Sequence, residues 1–326
     1  MKRLRTVSAL TTADAVFRIV LLKEEPRVEG RSSRREFLKR ALQISGAASV
    51  SRLFSSARMI QPPSYPDIGI VSGESPATMT VRVLELIGGI NRFVRRGDKV
   101  VILPNPQGSR PGVSTNGEIL SEVIKQCWNV GASEVTVASI HAPGRWYSSG
   151  ITSAVEKADA KIFYPQEKKD WIEPAIPIGK ALKRAVIVRR ALEADAFINI
   201  PIIKQHDSTR LTGCLKNLMG FHRDNASLHQ AETILHQGIA DLATLFKPKL
   251  LIIDAVRILG ENGPFGPGKL LNPRKVLAGT DMVALDAYCC RFLNLRPTDV
   301  EHIDFARANG IGVMDVTRLR VEEINL

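Results

Sequence analysis

The sequence predicts an α/β fold: a mainly parallel sheet with helices on both faces, in Rossmann-like layers. Three observations predict it. Short runs rich in β-branched residues alternate with longer helical patterns along the chain. The runs are apolar throughout rather than alternating with polar residues, as strands covered on both faces must be. Polar residues gather just past the runs, and open parallel sheets bind ligands outside the carboxyl ends of their strands.

In chain order, the Pro-rich residues 61–66 form an extended linker. Residues 99–103 are the first strand, 118–130 an amphipathic helix and 134–138 the second strand. Strands over 161–164 and 185–188 follow, then a helix through Leu192 and a strand over 196–200. Residues 250–253 and 276–278 complete the set. Asn105 follows the first strand, and Ser139 and His141 the second. Asn199, Lys204 and His206 mark the end of the fifth, Asp254 the end of the sixth, and Gly279 and Asp281 the end of the last. There is no internal repeat and no low-complexity tract.

Composition removes several classes. The chain has 326 residues, 44% hydrophobic and 24% charged, which excludes disorder and collagen-like repeats. No apolar run reaches the roughly 18 to 20 residues of a membrane span, so none is expected in the mature part. Four cysteines without C-x-x-C spacing give no disulfide scaffold. The net charge of +12 invites a nucleic-acid reading until it is located. Residues 1–58 hold 13 Lys/Arg against 5 Asp/Glu, and the remaining 268 hold 32 against 28. The folded part is nearly balanced, so no nucleic-acid partner is expected.

Ser33-Arg34-Arg35-Glu36-Phe37-Leu38-Lys39 reads S-R-R-x-F-L-K and resembles the twin-arginine export signal. A short, weakly apolar stretch follows from Ala41 to Val50, with Ser55-x-Ala57 as a small-residue cleavage site. No cysteine precedes Cys127, which excludes a lipid-modified cysteine near the signal. The resemblance implies the twin-arginine translocase as a partner, with the protein in the periplasm or on the outer face of the cytoplasmic membrane. That route carries folded cargo, often with a cofactor already inserted. The expected organisation is an extension over 1–32, a signal over 33–58, a linker over 59–66 and one α/β domain over 67–326.

The densest chemistry lies between Asn199 and Arg223, with Lys204, His206, Asp207, Arg210, Lys216, Asn217 and His222 between them. Residues 212–220 read as a short helix capped by Thr212 and ended by Gly220. A basic loop feeding a helix N-terminus favours an anion, because free N–H groups and the helix dipole point at it. Lys204 and Lys216 add charge-assisted bonds. The competing reading is a solvated basic loop. No G-x-x-x-x-G-K-[ST], G-x-G-x-x-G or G-x-S-x-G is present, which excludes a nucleotide P-loop and leaves dinucleotide and serine-hydrolase readings unsupported.

His206, His222, His229 and His236 crowd one window, but seven residues separate the last two, about 10 Å along a helix. A metal therefore requires convergence of His206 and His229 through the fold. His141 and His302 stand alone and read as ordinary. Asp254 closes an apolar strand and Asp286 lies inside an apolar helix, so each needs a partner, structural or functional. Asp281 reads as the start of that helix and is also a ligand candidate. Gly263 belongs to a glycine-rich loop, residues 260–268, that approaches the ligand. Cys214 beside Lys216 is a weaker nucleophile candidate, and the cysteines are otherwise expected to pack.

Three blocks carry a family resemblance. Asn199-Ile200-Pro201-Ile202-Ile203-Lys204-x-His206 followed by Leu211-Thr212-Gly213-Cys214-Leu215-Lys216-Asn217-Leu218-Met219-Gly220 is the central one. Asp254-Ala255 with Gly263-Pro264, and Gly279-Thr280-Asp281-x-Val283-Ala284-x-Asp286, come later. Together they resemble the uncharacterised family known as domain of unknown function 362, over roughly residues 68 to 320. The resemblance implies no reaction. Some members carry ferredoxin-like cysteine motifs, and this chain has none, so an iron–sulfur cluster is not expected and the cofactor stays open. A Lys-Pro-Asn block common in the family reads Leu103-Pro104-Asn105 here, so the lysine is lost. The expected function is binding of an anionic small molecule or cofactor by Asn105, Asn199, Lys204, Lys216, Asn217, Arg223, Gly263 and Asp281. His206 or His229 is the acid/base candidate, with Asp254 and Asp286 to orient it or hold a cation. The alternative is a non-catalytic binding or cofactor-delivery module.

Overall fold

The structure, a computed structural model, describes residues 65–326. Arg34, Arg35 and the segments around them lie outside the described residues. The strands are β1 (Ile68–Ser72), β2 (Lys99–Pro104), β3 (Glu134–Ala138), β4 (Lys161–Phe163), β5 (Trp171–Ile172), β6 (Ile187–Val188), β7 (Ala196–Ile200), β8 (Lys204–His206), β9 (Arg210–Thr212), β10 (Leu250–Ala255), β11 (Ile258–Leu259), β12 (Leu270–Leu271), β13 (Lys275–Gly279) and β14 (Val321–Asn325). The α-helices are α1 (Pro76–Leu86), α2 (Gly117–Asn129), α3 (Pro143–Ser148), α4 (Ile151–Lys157), α5 (Arg189–Glu193), α6 (Cys214–Asn217), α7 (Asn225–Leu228), α8 (Glu232–Ala243), α9 (Met282–Cys289) and α10 (Glu301–Ala308).

Eight strands form one sheet in the order β14-β1-β13-β10-β7-β2-β3-β4. All run in one direction except β13, which pairs antiparallel with both β1 and β10. The predicted mostly parallel sheet is therefore present. The reversal of β13 has a simple cause: only the short β11–β12 hairpin, and no α-helix, connects it to β10. A parallel return needs a long crossover, and an antiparallel one does not. Residues 185–188 do not join the sheet; their strand is β6, which forms a two-stranded ribbon with β5.

Alternate residues of the strands feed two cores. Val101, Leu103, Phe197, Leu251 and Ile253 face one side, and Val100, Ile102, Ile198, Leu250 and Ile252 face the other. Helices α1, α2 and α4 cover the second side. Helix α2 does so with the stripe Ile119, Leu120, Val123, Ile124 and Cys127, and Asn116 caps its start by accepting from Glu118 N at 2.8 Å. Helices α6, α8, α9 and α10 cover the first. There Phe197, Phe221 and Phe246 meet with ring centroids 5.4 to 5.9 Å apart.

The strand order creates a crevice. From β2 the chain moves outward to β3 and β4, whereas from β7 it moves the other way to β10. The loops leaving β2 and β7 therefore part from one another at the carboxyl edge, which is where this class of sheet binds ligands.

Candidate functional site

Into that crevice β7 delivers the hairpin β8–β9 and helix α6, and β2 and β3 deliver Asn105, Gln107 and His141. A pocket of about 170 Å³ results, lined by Asn105, Gln107, His141, Arg145, Lys204, His206, Thr212, Lys216, Asn217, Asn225 and His229, with Met219, Pro264 and Phe265 as its apolar wall. Of the predicted site residues, six meet here: Asn105, Lys204, His206, Lys216, Asn217 and His229. The pocket lining contains two lysines, one arginine and no Asp or Glu.

A chain of three amides builds the floor. Asn199 Nδ2 donates to Cys214 O at 2.9 Å, and its Oδ1 accepts from Asn217 Nδ2 at 2.8 Å. Asn217 Oδ1 accepts from Asn105 Nδ2 at 2.8 Å, and Asn217 Nδ2 also donates to Leu103 O at 3.3 Å. This network fixes which end of each amide is oxygen, so Asn105 Oδ1 is aimed at Lys204, whose Nζ donates to it at 3.0 Å. Lys204 donates a second bond to Val113 O at 2.6 Å. Asn199 and Asn217 are thus spent on each other and on backbone, and they position Asn105.

Lys204 is 1% exposed and Lys216 is 8% exposed. Burial, with Lys216 and Arg145 close by, pushes the Lys204 amine down to about 7. Burial pushes Lys216 down to about 8 against the pull of Asp207, and the hydrogen-bond contact of its Nζ is the Met219 sulfur at 3.6 Å. Thr212 is 3% exposed, and its Oγ1 has no partner. An orphaned hydroxyl and a buried ammonium without a carboxylate are both costly, and both lie on the lining of this pocket.

Three histidines complete it. His206 Nδ1 lies 2.8 Å from Asp207 Oδ1, and burial followed by Lys216 holds the ring well below its ordinary range despite Asp207. His141 Nδ1 is 2.6 Å from Ser139 Oγ and its Nε2 is 2.8 Å from Gln107 Nε2. Burial, then Arg145 and Lys204, push His141 down to about 4. Arg145 bonds Gln107 Oε1 and sits over the Phe265 ring, 5.0 Å from its centroid. His229 is at the rim, its Nδ1 2.7 Å from Asn225 O.

Other predicted residues sit elsewhere. The helix expected over 212–220 is α6 followed by a 3-10 turn, Leu218–Phe221, and Gly213 rather than Thr212 stands at its cap. Its first amides are not free. Cys214 N and Leu215 N donate to Asp286 Oδ1 and Oδ2 at 2.6 and 3.0 Å. The anion at this helix N-terminus is the protein's own carboxylate, which burial raises to about 7 against those donors. A Cβ on Gly213 would lie 2.3 Å from Asp286 Oδ1, so only glycine admits the contact. Asp254 bonds the amides of Asn116 at 2.8 Å and Val256 at 3.1 Å, and it borders a separate groove. Asp281 caps α9 through Ala284 N at 2.9 Å and also takes Val313 N at 2.8 Å. Arg223 stacks on Trp171 at 5.2 Å, outside the pocket. Gly263 does not line the pocket; its N–H bonds Gln205 Oε1 at 2.5 Å, which brings Pro264 and Phe265 to the wall.

Neither Asp254 nor Asp286 reaches His206; Asp207 is the carboxylate beside it. His236 leaves the window altogether and stacks on His302, with centroids 5.2 Å apart. Among the described residues no group of three or more His, Cys, Asp or Glu is placed to hold a metal ion. Burial raises the Cys214 thiol well above its ordinary range, which removes it as a nucleophile. His141, Gln107, Arg145 and Thr212 are pocket residues that sequence reasoning missed. The signal for His141 was its place just past β3.

Fold and site together define a mostly parallel α/β protein with a cationic pocket where the strand order reverses. The chain belongs to the family described as Domain of unknown function (DUF362), which matches residues 100–291. It is similar to a thylakoid-associated protein of Synechocystis sp., 25% identical over 233 residues, covering 67% of this chain and 70% of that one. Among solved structures it resembles the lactate racemase apoprotein from Thermoanaerobacterium thermosaccharolyticum, with a TM-score of 0.44 and 14% identity. That likeness covers 65% of this chain, which spans 53% of the other. Among the described residues no helix is long and apolar enough to cross a membrane.

Proposed function

We propose that residues 67–326 are one exported α/β domain whose pocket binds an anionic small molecule bearing a phosphate or carboxylate, with His206 as its acid/base group. One observation carries the reading: Lys216 is buried, with Arg145, in a pocket whose lining holds no Asp or Glu. A bare ammonium at such a site costs several kcal/mol, and a ligand anion removes that cost. Lys216 and Arg145 supply the charge; Thr212 Oγ1 offers a hydrogen bond that no group among the described residues accepts. His206, held below its ordinary range by burial and Lys216, is neutral at pH 7 in the empty pocket, and a bound anion raises it toward the range in which it takes a proton. Export rests on the S-R-R-x-F-L-K segment, with the twin-arginine translocase as partner and the periplasm or the outer face of the cytoplasmic membrane as destination. The thylakoid association of the Synechocystis relative accords with work at a membrane.

The test is a titration of the full chain with inorganic phosphate and with a simple carboxylate, beside native and denaturing masses of the same sample. Lys216→Ala weakens binding by about tenfold or more, the worth of one charge-assisted bond. Unchanged affinity overturns the reading. One ligand retained tightly with no turnover favours the delivery module over an enzyme.

A further inference from the structure

The two bonds of Lys204 suit a neutral amine better than an ammonium. An ammonium has three N–H donors, whereas a neutral amine has two and a lone pair. The protein offers Lys204 Nζ two acceptors, Asn105 Oδ1 at 3.0 Å and Val113 O at 2.6 Å. The Asn105 oxygen is held in place by the amide chain running back to Asn199. A neutral Lys204 is therefore fully satisfied, with its lone pair left over. Lys204 lines a pocket that Lys216 lines as well, and Lys216 has no carboxylate bonded to it.

We propose that Lys204 is a nucleophile that forms an imine with the carbonyl group of an anionic substrate, a 2-oxo acid, whose carboxylate is held by Lys216 and Arg145. The inference rests on the anion-binding reading above. The lone pair of Nζ attacks the carbonyl carbon and a C–N bond forms. The C=O π pair moves to oxygen, which takes a proton and becomes a carbinolamine hydroxyl. That hydroxyl leaves as water with a second proton, while the nitrogen gives up its two. Amine and carbonyl become imine and water, and nothing is oxidised or reduced. His206, which lines the pocket, is a group of the right chemistry to carry the proton from nitrogen to oxygen. The lowered basicity of Lys204, produced by burial and by Lys216, keeps the amine available near neutral pH.

The test incubates the full chain with pyruvate and sodium cyanoborohydride, followed by intact mass and peptide mapping. The expected result is one reduced adduct per chain, on Lys204, suppressed by excess inorganic phosphate. Lys204→Arg removes the nucleophilic amine and abolishes the adduct. Lys216→Ala lowers its yield about tenfold at limiting pyruvate, with Lys204 still the residue labelled. Adducts spread over surface lysines, or placed on Lys216, overturn the proposal. Calorimetric titrations with phosphate and lactate separate it from the reading beneath it. If they bind at the pocket and no adduct forms on Lys204, the imine is wrong and the anion site stands. If neither binds and no adduct forms, both fall.

Discussion

Replacing Lys204 by Met probes the buried amine without emptying its space. The folded state lowers this group from an ordinary 10.5 to about 7, a penalty of about 5 kcal/mol on its charged form. Below pH 7 the lysine is protonated in both states and the whole penalty weighs on the fold. Between pH 7 and 10.5 the unfolded chain binds a proton that the folded one does not, so stability rises with pH. From pH 7 to pH 9 the gain is about 2 kcal/mol. Other groups titrate in this window: Lys216 acts in the same sense, and the buried Cys127, Cys214, Cys289 and Cys290, all raised by burial, act against it. The informative quantity is therefore the difference between wild type and variant. Urea unfolding at pH 7 and pH 9 reads it, with wild type gaining about 2 kcal/mol more than Lys204→Met. Equal gains in the two proteins mean that Lys204 is not a desolvated base, and the imine chemistry loses its footing.

Anion affinity has its own pH dependence. Lys216 must be protonated to hold the ligand, and it stands at about 8 in the free protein. Affinity for a simple carboxylate, which does not itself titrate in this range, therefore begins to fall near pH 8 and then drops up to about tenfold per unit, with proton uptake on binding near pH 8. Calorimetry in two buffers of different ionisation enthalpy measures that uptake, and an affinity unchanged at about pH 9.5 removes Lys216 from the site. Gly213→Ala puts a Cβ 2.3 Å from Asp286 Oδ1 and destabilises the fold by about 2 to 3 kcal/mol in denaturant unfolding. A loss under about 0.5 kcal/mol shows that α6 is not seated on Asp286 as described.

The central strands β2, β3, β7 and β10 are legible because burial on both faces leaves unbroken apolar runs. The direction of β13 is not, since an apolar run has no sense of travel; the missing crossover helix between it and β10 was the readable clue. Strand β14, Val-Glu-Glu-Ile-Asn, is a sheet edge with alternate residues exposed, and its charges resemble a solvated loop. Strand β8 is the polar triplet Lys-Gln-His, paired only with β9, so no periodicity marks it. Lys204, His206 and Asn105 were readable as site residues because they follow strand ends, and Lys216 because it lies in a basic segment feeding a short helix. His141 occupies the same kind of position but, as a lone histidine, carries no spacing. The partner of the α6 amides, Asp286, lies 72 residues beyond Cys214, a distance across which only the fold can speak.

The position of Asp286 decides what kind of anion site the proposed one is. Many phosphate sites use the free amides at a helix N-terminus, which contact the ligand through backbone alone. Here those amides are already bonded to a carboxylate, and the charge that faces the pocket comes from side chains, Lys216 on α6 itself and Arg145 on α3. Asp286 thus acts on the site indirectly. It seats the first turn of α6, which places Lys216 and sets Asn217 against Asn199 and Asn105, and Asn105 in turn fixes Lys204. The sheet takes part as well, because Asn199 belongs to β7 and Asn105 directly follows β2, so the spacing of those two neighbouring strands is transmitted to the amine. A lysine built on such a frame, as Lys216 is, can titrate, and backbone amides cannot. A site of this construction couples ligand binding to protons, which is the property an imine-forming lysine requires.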